Sequence, residues 1–326
     1  MRSPVLAACF LGLAVACGAA DSTEEDPTDS DEQELVAYRT TVTTNPSRAI
    51  VGSPTSLNVR VKGPGNTAVT QFDPLHTQPM HLIAVSSDLE DFIHLHPALQ
   101  PAGNLTTSAT FARAERYSLF MEYDPAGPAA QTLSRATVTP LGALAAPAQL
   151  DAATAFGGAS SRTVTVNGTI VELVGAPGGM IMANSPAHLV VRFRNTNGTA
   201  ITNLTNWLGM PAHGIVVSPD LKTFVHAHGM PESVGGGGHG GHGGHGEPST
   251  STGPVGIDVT LPKAGLYKMF VQFQRGTTLI TAPFVLSVMA SHGPPPPPPA
   301  ATCATMRCPS GQMCMVMGSP PAPMCM

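Results

Sequence analysis

Along residues 36 to 141 apolar positions alternate with polar ones or run for five to seven residues, with Val, Ile, Thr, Phe and Tyr enriched and Gly, Pro, Asn or Asp in the gaps. A period of two and short apolar runs bounded by turn residues are strand signals. No window of about 12 residues carries the 3.6-residue period of a helix, so the pattern predicts an all-β chain. Strands are expected at 38–43, 56–61, 80–86, 92–96, 106–111, 116–123 and 136–139. Seven short strands in about a hundred residues suit an immunoglobulin-like or cupredoxin-like β-sandwich.

The pattern occurs twice. Residues 80–97 overlay 212–229 at a shift of 132, and nine of the 18 positions are identical. The same shift sets Leu57-Asn-Val-Arg-Val61 on Leu189-Val-Val-Arg-Phe193, and Tyr117-Ser-Leu-Phe-Met-Glu-Tyr123 matches Tyr267-Lys-Met-Phe-Val-Gln-Phe273 at a shift of 150. One glycine-histidine insertion near 230–250 absorbs the difference. Two tandem sandwich repeats are therefore expected, at 36–141 and 161–290, the second with a Gly/His loop at 229–254. The Ala/Pro/Gly segment 142–160 has no period and reads as a linker.

Candidate chemistry concentrates in the duplicated hairpin. A turn centred on Asp88 and Leu89 makes paired residue numbers sum to 177, so His81 faces His96 and Ile83 faces His94. Residues two apart share a face, and directly opposed Cβ atoms lie about 4.5–5.5 Å apart. His81, His94 and His96 then converge at the open end of the hairpin, with Phe92, Ile83 and Val85 expected to run into the core below. A slip of one residue would scatter them. The second copy repeats the trio as His213, His226 and His228 and adds Met210, while the first has His76 and Met80 nearby. Two metal sites, one per copy, are expected.

Imidazole suits zinc, copper, nickel and iron, and a thioether tips the preference toward copper. No cysteine lies between Cys17 and Cys303, which argues against a blue-copper centre and against Cys-type structural zinc. The expected cofactor is a copper ion, ahead of zinc. Met230 and the loop residues His239, His242 and His245 are auxiliary candidates, on a segment too glycine-rich to pack a core. The bland alternatives are hydrogen-bonded histidines at a sandwich rim and a neutral low-complexity loop. His188 aligns with Ser56 and His292 borders the proline run, so both read as bystanders.

The ends change the picture of location. Residues 1–16 read as an export signal, with an apolar run too short to span a bilayer, and Leu13-Ala14-Val15-Ala16-Cys17 resembles a lipobox that would make Cys17 the lipidated residue. Within 17–35, residues 21–34 hold eight of the 21 acidic residues and no apolar one, as expected of a disordered tether. The rest is nearly neutral, without a nucleic-acid footprint. A Pro-rich linker, 291–302, precedes a Cys/Met-rich tail, 303–326, where Cys303, Cys308, Cys314 and Cys325 suggest two disulfides, with soft-metal binding as the other reading.

Trp207-Leu-Gly-Met-Pro-Ala-His213, Phe224-Val-His-Ala-His228, Gly265-Leu-Tyr-Lys-Met-Phe-Val-Gln-Phe-Gln-Arg275 and Thr281-Ala-Pro-Phe284 resemble exported bacterial YtkA-like and copper-resistance domains. In the first copy, Leu75-His-Thr-Gln-Pro-Met-His81 departs from the Leu-Gly-Met pattern. The resemblance implies a β-sandwich with a metal-binding role in the cell envelope. The expectation is a lipid-anchored copper-buffering, resistance or delivery protein, whose partners are the membrane and an envelope copper-handling protein. An adhesion or scaffold lipoprotein with structural histidines is the alternative. No Ser-His-Asp order, phosphate loop or paired-carboxylate motif stands out, so no enzyme is expected.

Overall fold

The computed structural model describes residues 38–127, 131–144, 146–158, 161–175, 180–232, 250–251, 253–291, 314–317 and 322–325. Cys17, the acidic segment, His239, His242, His245, His292, Cys303 and Cys308 lie outside the described residues. Both repeats belong to one compact unit that begins at Ala37.

The first repeat comprises β1 (Arg39–Asn45), β2 (Pro54–Lys62), β3 (Phe72–Asp73), β4 (His81–Ser86), β5 (Phe92–Leu95), β6 (Ala98–Leu99), β7 (Asn104–Thr110), β8 (Tyr117–Pro125) and β9 (Thr132–Val138). One sheet runs β1-β2-β7-β6, the other β5-β4-β8-β9, with β3 also paired to the end of β8. All seven expected strands are present. Alternation in β2 turns Leu57, Val59 and Val61 inward, onto Leu82 and Ala84 of β4, Leu105 of β7 and Leu119 and Met121 of β8.

The second repeat comprises β10 (Arg162–Val166), β11 (Thr169–Val174), β12 (Ile181–Met182), β13 (Pro186–Asn195), β14 (Leu204–Thr205), β15 (Ala212–Val217), β16 (Phe224–Pro231), β17 (Thr250–Ser251), β18 (Val255–Thr260), β19 (Gly265–Arg275) and β20 (Thr278–Met289). Strands β13, β15, β16, β18, β19 and β20 repeat β2, β4, β5, β7, β8 and β9. Strand β10 is an addition, joined to β11 through Asn167-Gly168, both at positive φ, as a two-residue hairpin turn demands.

One substitution between the copies alters the path. Pro97, which has no N–H to give a ladder, separates β5 in one sheet from β6 in the other. Its counterpart is Gly229, and there β16 runs unbroken from its pairing with β15 to its pairing with β18, one strand serving both sheets. A Cβ at Gly229 would stand 2.4 Å from Val255 Cγ1 and 3.1 Å from the Ala212 carbonyl oxygen, so the crossing requires glycine.

The hairpin register is as expected, with Ile83 opposite His94 and, in the second copy, His213 opposite His228. The destination of one face is not. Every residue of β4 and of β15 is buried. Met80, Leu82 and Ala84 enter the first sandwich core, whereas Ile83, Val85, Leu89 and Phe120 meet Ile215, Val217, Leu221 and Phe270 in a separate cluster between the repeats. Phe92 stacks on Phe270 and Phe224 on Phe120, each at 4.4 Å between ring centroids. The expectation that Phe92, Ile83 and Val85 point into their own core is thus corrected: these strands carry apolar side chains on both faces, and the second face is covered by the other repeat. Exchanging the repeats exchanges the two stacked pairs, so the boundary has the self-complementary character of a two-fold interface.

Segment 142–160 is more than a spacer. Phe156 is fully buried in the second core, its N–H donating to Val285 O at 2.7 Å and its carbonyl accepting from Ser287 N–H at 2.9 Å, while Leu150 packs on the boundary cluster. In the tail, β21 (Cys314–Met317) pairs with β22 (Ala322–Cys325), setting the backbone of Cys314 opposite that of Cys325.

Candidate metal centre

Above the stacked phenylalanines, the histidine-bearing ends of both hairpins meet. His81 and His213 are 1% and 0% exposed. Ring centroids lie 4.9 Å apart for His81 and His96, 4.8 Å for His226 and His228, and, across the boundary, 5.2 Å for His81 and His226 and 5.4 Å for His94 and His226. His76, at φ 45° in the loop before β4, sets its ring 3.7 Å from that of His228. The two trios expected to form separate sites therefore share one cluster. No sequence period reports this, because it depends on how the repeats dock.

The hydrogen bonds fix which nitrogens face inward. A carbonyl oxygen only accepts, so His81 Nε2–H donates to Leu75 O at 2.9 Å and His213 Nε2–H donates to Trp207 O at 3.0 Å. Each then presents the Nδ1 lone pair to the cluster. His94 Nδ1–H donates to Gln272 Oε1 at 2.7 Å, with the amide nitrogen of Gln272 donating to Thr281 Oγ1, and His226 Nδ1–H donates to Glu122 Oε2 at 2.6 Å. In this arrangement His81 Nδ1 meets His94 Nε2 at 3.1 Å and His213 Nδ1 meets His226 Nε2 at 3.4 Å, lone pair against lone pair. His96 Nε2 and His228 Nε2 are buried without a hydrogen-bond partner. Three pairs of nitrogens, each related by the repeat, thus lack a donor.

Protonation is opposed by the surroundings. Burial depresses all six imidazoles below their ordinary value, taking His96 and His213 to about 4 and His228 to about 2, with neighbouring imidazoles adding to the effect. Burial also pushes the Glu122 carboxyl up to about 7. Two trios, His81/His94/His226 and His213/His226/His228, each offer ligand atoms within 4.8 Å of one another. Neutral, inward-facing imidazoles at these spacings suit a late first-row transition ion.

The methionine candidates fare differently. Met80 belongs to the first sandwich core, on the face of its strand opposite His81, and is withdrawn as a ligand. Met230 is 46% exposed opposite Gly256, and Met210 closes a backbone turn with Trp207. His188 stands outside the cluster, bonded to Asp258 at 2.7 Å and Glu232 at 3.0 Å; burial lowers its pKa, but the two carboxylates prevail and raise it. Glu122, Gln272 and Trp207, whose ring packs 5.1 Å from His94 and 5.0 Å from His213, were not singled out in the sequence. The legible signal for Glu122 and Gln272 is a polar residue at the same place in the mainly apolar middle of two aligned strands.

One family model matches the chain twice, over residues 36–139 and 164–290. No curated protein matches. Among solved structures, the S-layer protein SbsC domains 4 and 5 are 9% identical at a TM-score of 0.20, over 78% of this chain and 99% of that one. S. aureus TarS is 8% identical at 0.19, over 75% and 39%, and a putative membrane anchored protein from Corynebacterium diphtheriae 9% at 0.21, over 79% and 60%. Similarity this low carries no argument about fold or function.

Proposed function

The chain belongs to the family described as Domain of unknown function (DUF8832), holding two copies of its domain, and on that premise we propose that the docked pair forms a transition-metal-binding protein, copper foremost. The observation that carries this is the set of opposed or orphaned imidazole nitrogens: a cation between them supplies what no protein donor does. Six imidazoles and no body cysteine favour copper or zinc over softer-ligand chemistry. The buried ring nitrogens favour holding an ion over rapid turnover of a substrate, so the reading is buffering, resistance or delivery, and not catalysis. Strand order β1-β2-β7-β6 against β5-β4-β8-β9 supports placing the first repeat with the immunoglobulin-like sandwiches rather than the cupredoxins. The lipobox at Cys17 supports an envelope location on a lipid anchor.

The test is calorimetric titration of Cu(II), Cu(I) and Zn(II) into the full chain, with His239, His242 and His245 replaced by alanine to remove the loop imidazoles. Tight binding lost in His94→Ala/His226→Ala supports the reading. Absent binding, or binding that this double variant retains, makes the histidines structural.

A further inference from the structure

We infer that this centre holds two ions side by side, one on the inward nitrogen pair of each repeat, in place of one ion per isolated domain or a single shared ion. This rests on the metal-binding reading and deepens it.

The geometry supplies two separate seats. Two nitrogens on one tetrahedral ion at about 2.0–2.1 Å lie about 3.3–3.4 Å apart. The His81 Nδ1–His94 Nε2 separation is 3.1 Å and the His213 Nδ1–His226 Nε2 separation is 3.4 Å, so each repeat presents one edge of a coordination polyhedron. The edges adjoin at His226, which the two trios within a 4.8 Å limit have in common among the described residues, but His81 and His94 are not grouped with His213 and His228. A single ion therefore leaves one edge unfilled.

Each edge also has a third ligand. His228 completes the second trio. On the first edge the group within that limit is closed by His226 of the other repeat, while His96, whose ring lies 4.9 Å from those of His81 and His94, adds an Nε2 that, like that of His228, is buried and unpartnered. Two adjoining imidazole seats result, facing one another across the boundary, with the rings of His81 and His94 5.2 to 6.3 Å from those of His226 and His213. Glu122 of the first repeat, bonded to His226 of the second, and Gln272 of the second, bonded to His94 of the first, hold each edge from the other side. The His81–His94 edge takes its third imidazole, and both edges their orienting partner, from the opposite repeat, so the ligand class is a pair of late transition ions and the site exists only in the docked form.

Electron paramagnetic resonance of the Cu(II)-loaded full chain, with the three loop histidines replaced by alanine, tests this after desalting and copper analysis. The expected result is two coppers per chain, reduced spin intensity and a half-field transition from two interacting ions. His96→Ala and His228→Ala should each leave one copper with an ordinary isolated signal. One copper per wild-type chain, two coppers with full uncoupled spin, or a coupled pair surviving His96→Ala would overturn the paired centre while leaving metal binding intact. A chain that retains no copper would overturn the metal-binding reading itself.

Discussion

At the scale of the residue, the two halves of the centre differ where Glu122 stands opposite Gln272 in the repeat alignment. Both orient a histidine of the other repeat, and only one brings charge. Such partners raise ligand basicity and fix the tautomer, and their loss typically costs about 10–100-fold in metal affinity. Glu122→Ala should therefore weaken metal binding by about that factor in a calorimetric titration; unchanged affinity would mean that the carboxylate does not orient His226. Asp88 belongs to the turn above. Burial works against its charge, but the Ser86 hydroxyl, the Glu90 N–H and Arg113 together hold its carboxyl below the ordinary value. A depressed carboxylate pKa contributes stability above the unfolded value of about 3.9 and loses it as pH falls through the folded one. Thermal unfolding of Asp88→Asn should accordingly fall less steeply below about pH 4 than that of the parent chain.

Among the elements, the hairpin turns do unusual work. Leu89 and Leu221 sit at φ 62° and 57°, a region costly for a branched side chain, and both deliver that side chain into the boundary cluster. Identical Ser-to-Asp caps, Ser86 to Asp88 at 2.6 Å and Ser218 to Asp220 at 2.5 Å, hold the two turns in the same shape. The stacked rings are the next layer. Phe92→Ala and Phe224→Ala should each destabilise by about 3–5 kcal/mol in urea unfolding, and by similar amounts, since the repeat relation exchanges them. A large difference between the two would show that the boundary is not balanced. At the crossing strand, Gly229→Ala should cost about 1–3 kcal/mol by driving a methyl into Val255. A neutral outcome would mean that β16 can leave β18 without penalty.

For the whole molecule, burying six neutral imidazoles with opposed or unpartnered lone pairs is unfavourable without a cation between them, so on the metal-binding proposal folding is linked to metal binding. A ligand held only by the folded chain stabilises it by about 2.7 kcal/mol at a hundred times its dissociation constant. Copper should therefore raise the midpoint of thermal unfolding, a chelator should reverse the rise, and the repeats should unfold together. Two separate transitions, only one of them shifted by metal, would mean that the boundary is not shared.

Much of this protein was determined by local pattern. Period-two alternation set the strands, a match of nine residues in 18 exposed the duplication, and turn-centred register placed three histidines of each hairpin on one face. Those features depend on neighbours along the chain or on a single hairpin, which is why they are legible there. The tertiary structure alone decided what that face meets. Strands β4 and β15 are apolar on both sides, so pattern cannot say which side enters the sandwich and which meets another surface. Met80 looked like a ligand and went to the core, whereas Glu122 and Gln272 looked incidental and became the cross-boundary partners of His226 and His94. Docking two surfaces is a contest among non-local burials, settled by shape and stacking between Phe92, Phe120, Phe224 and Phe270, and that contest leaves no period in the sequence.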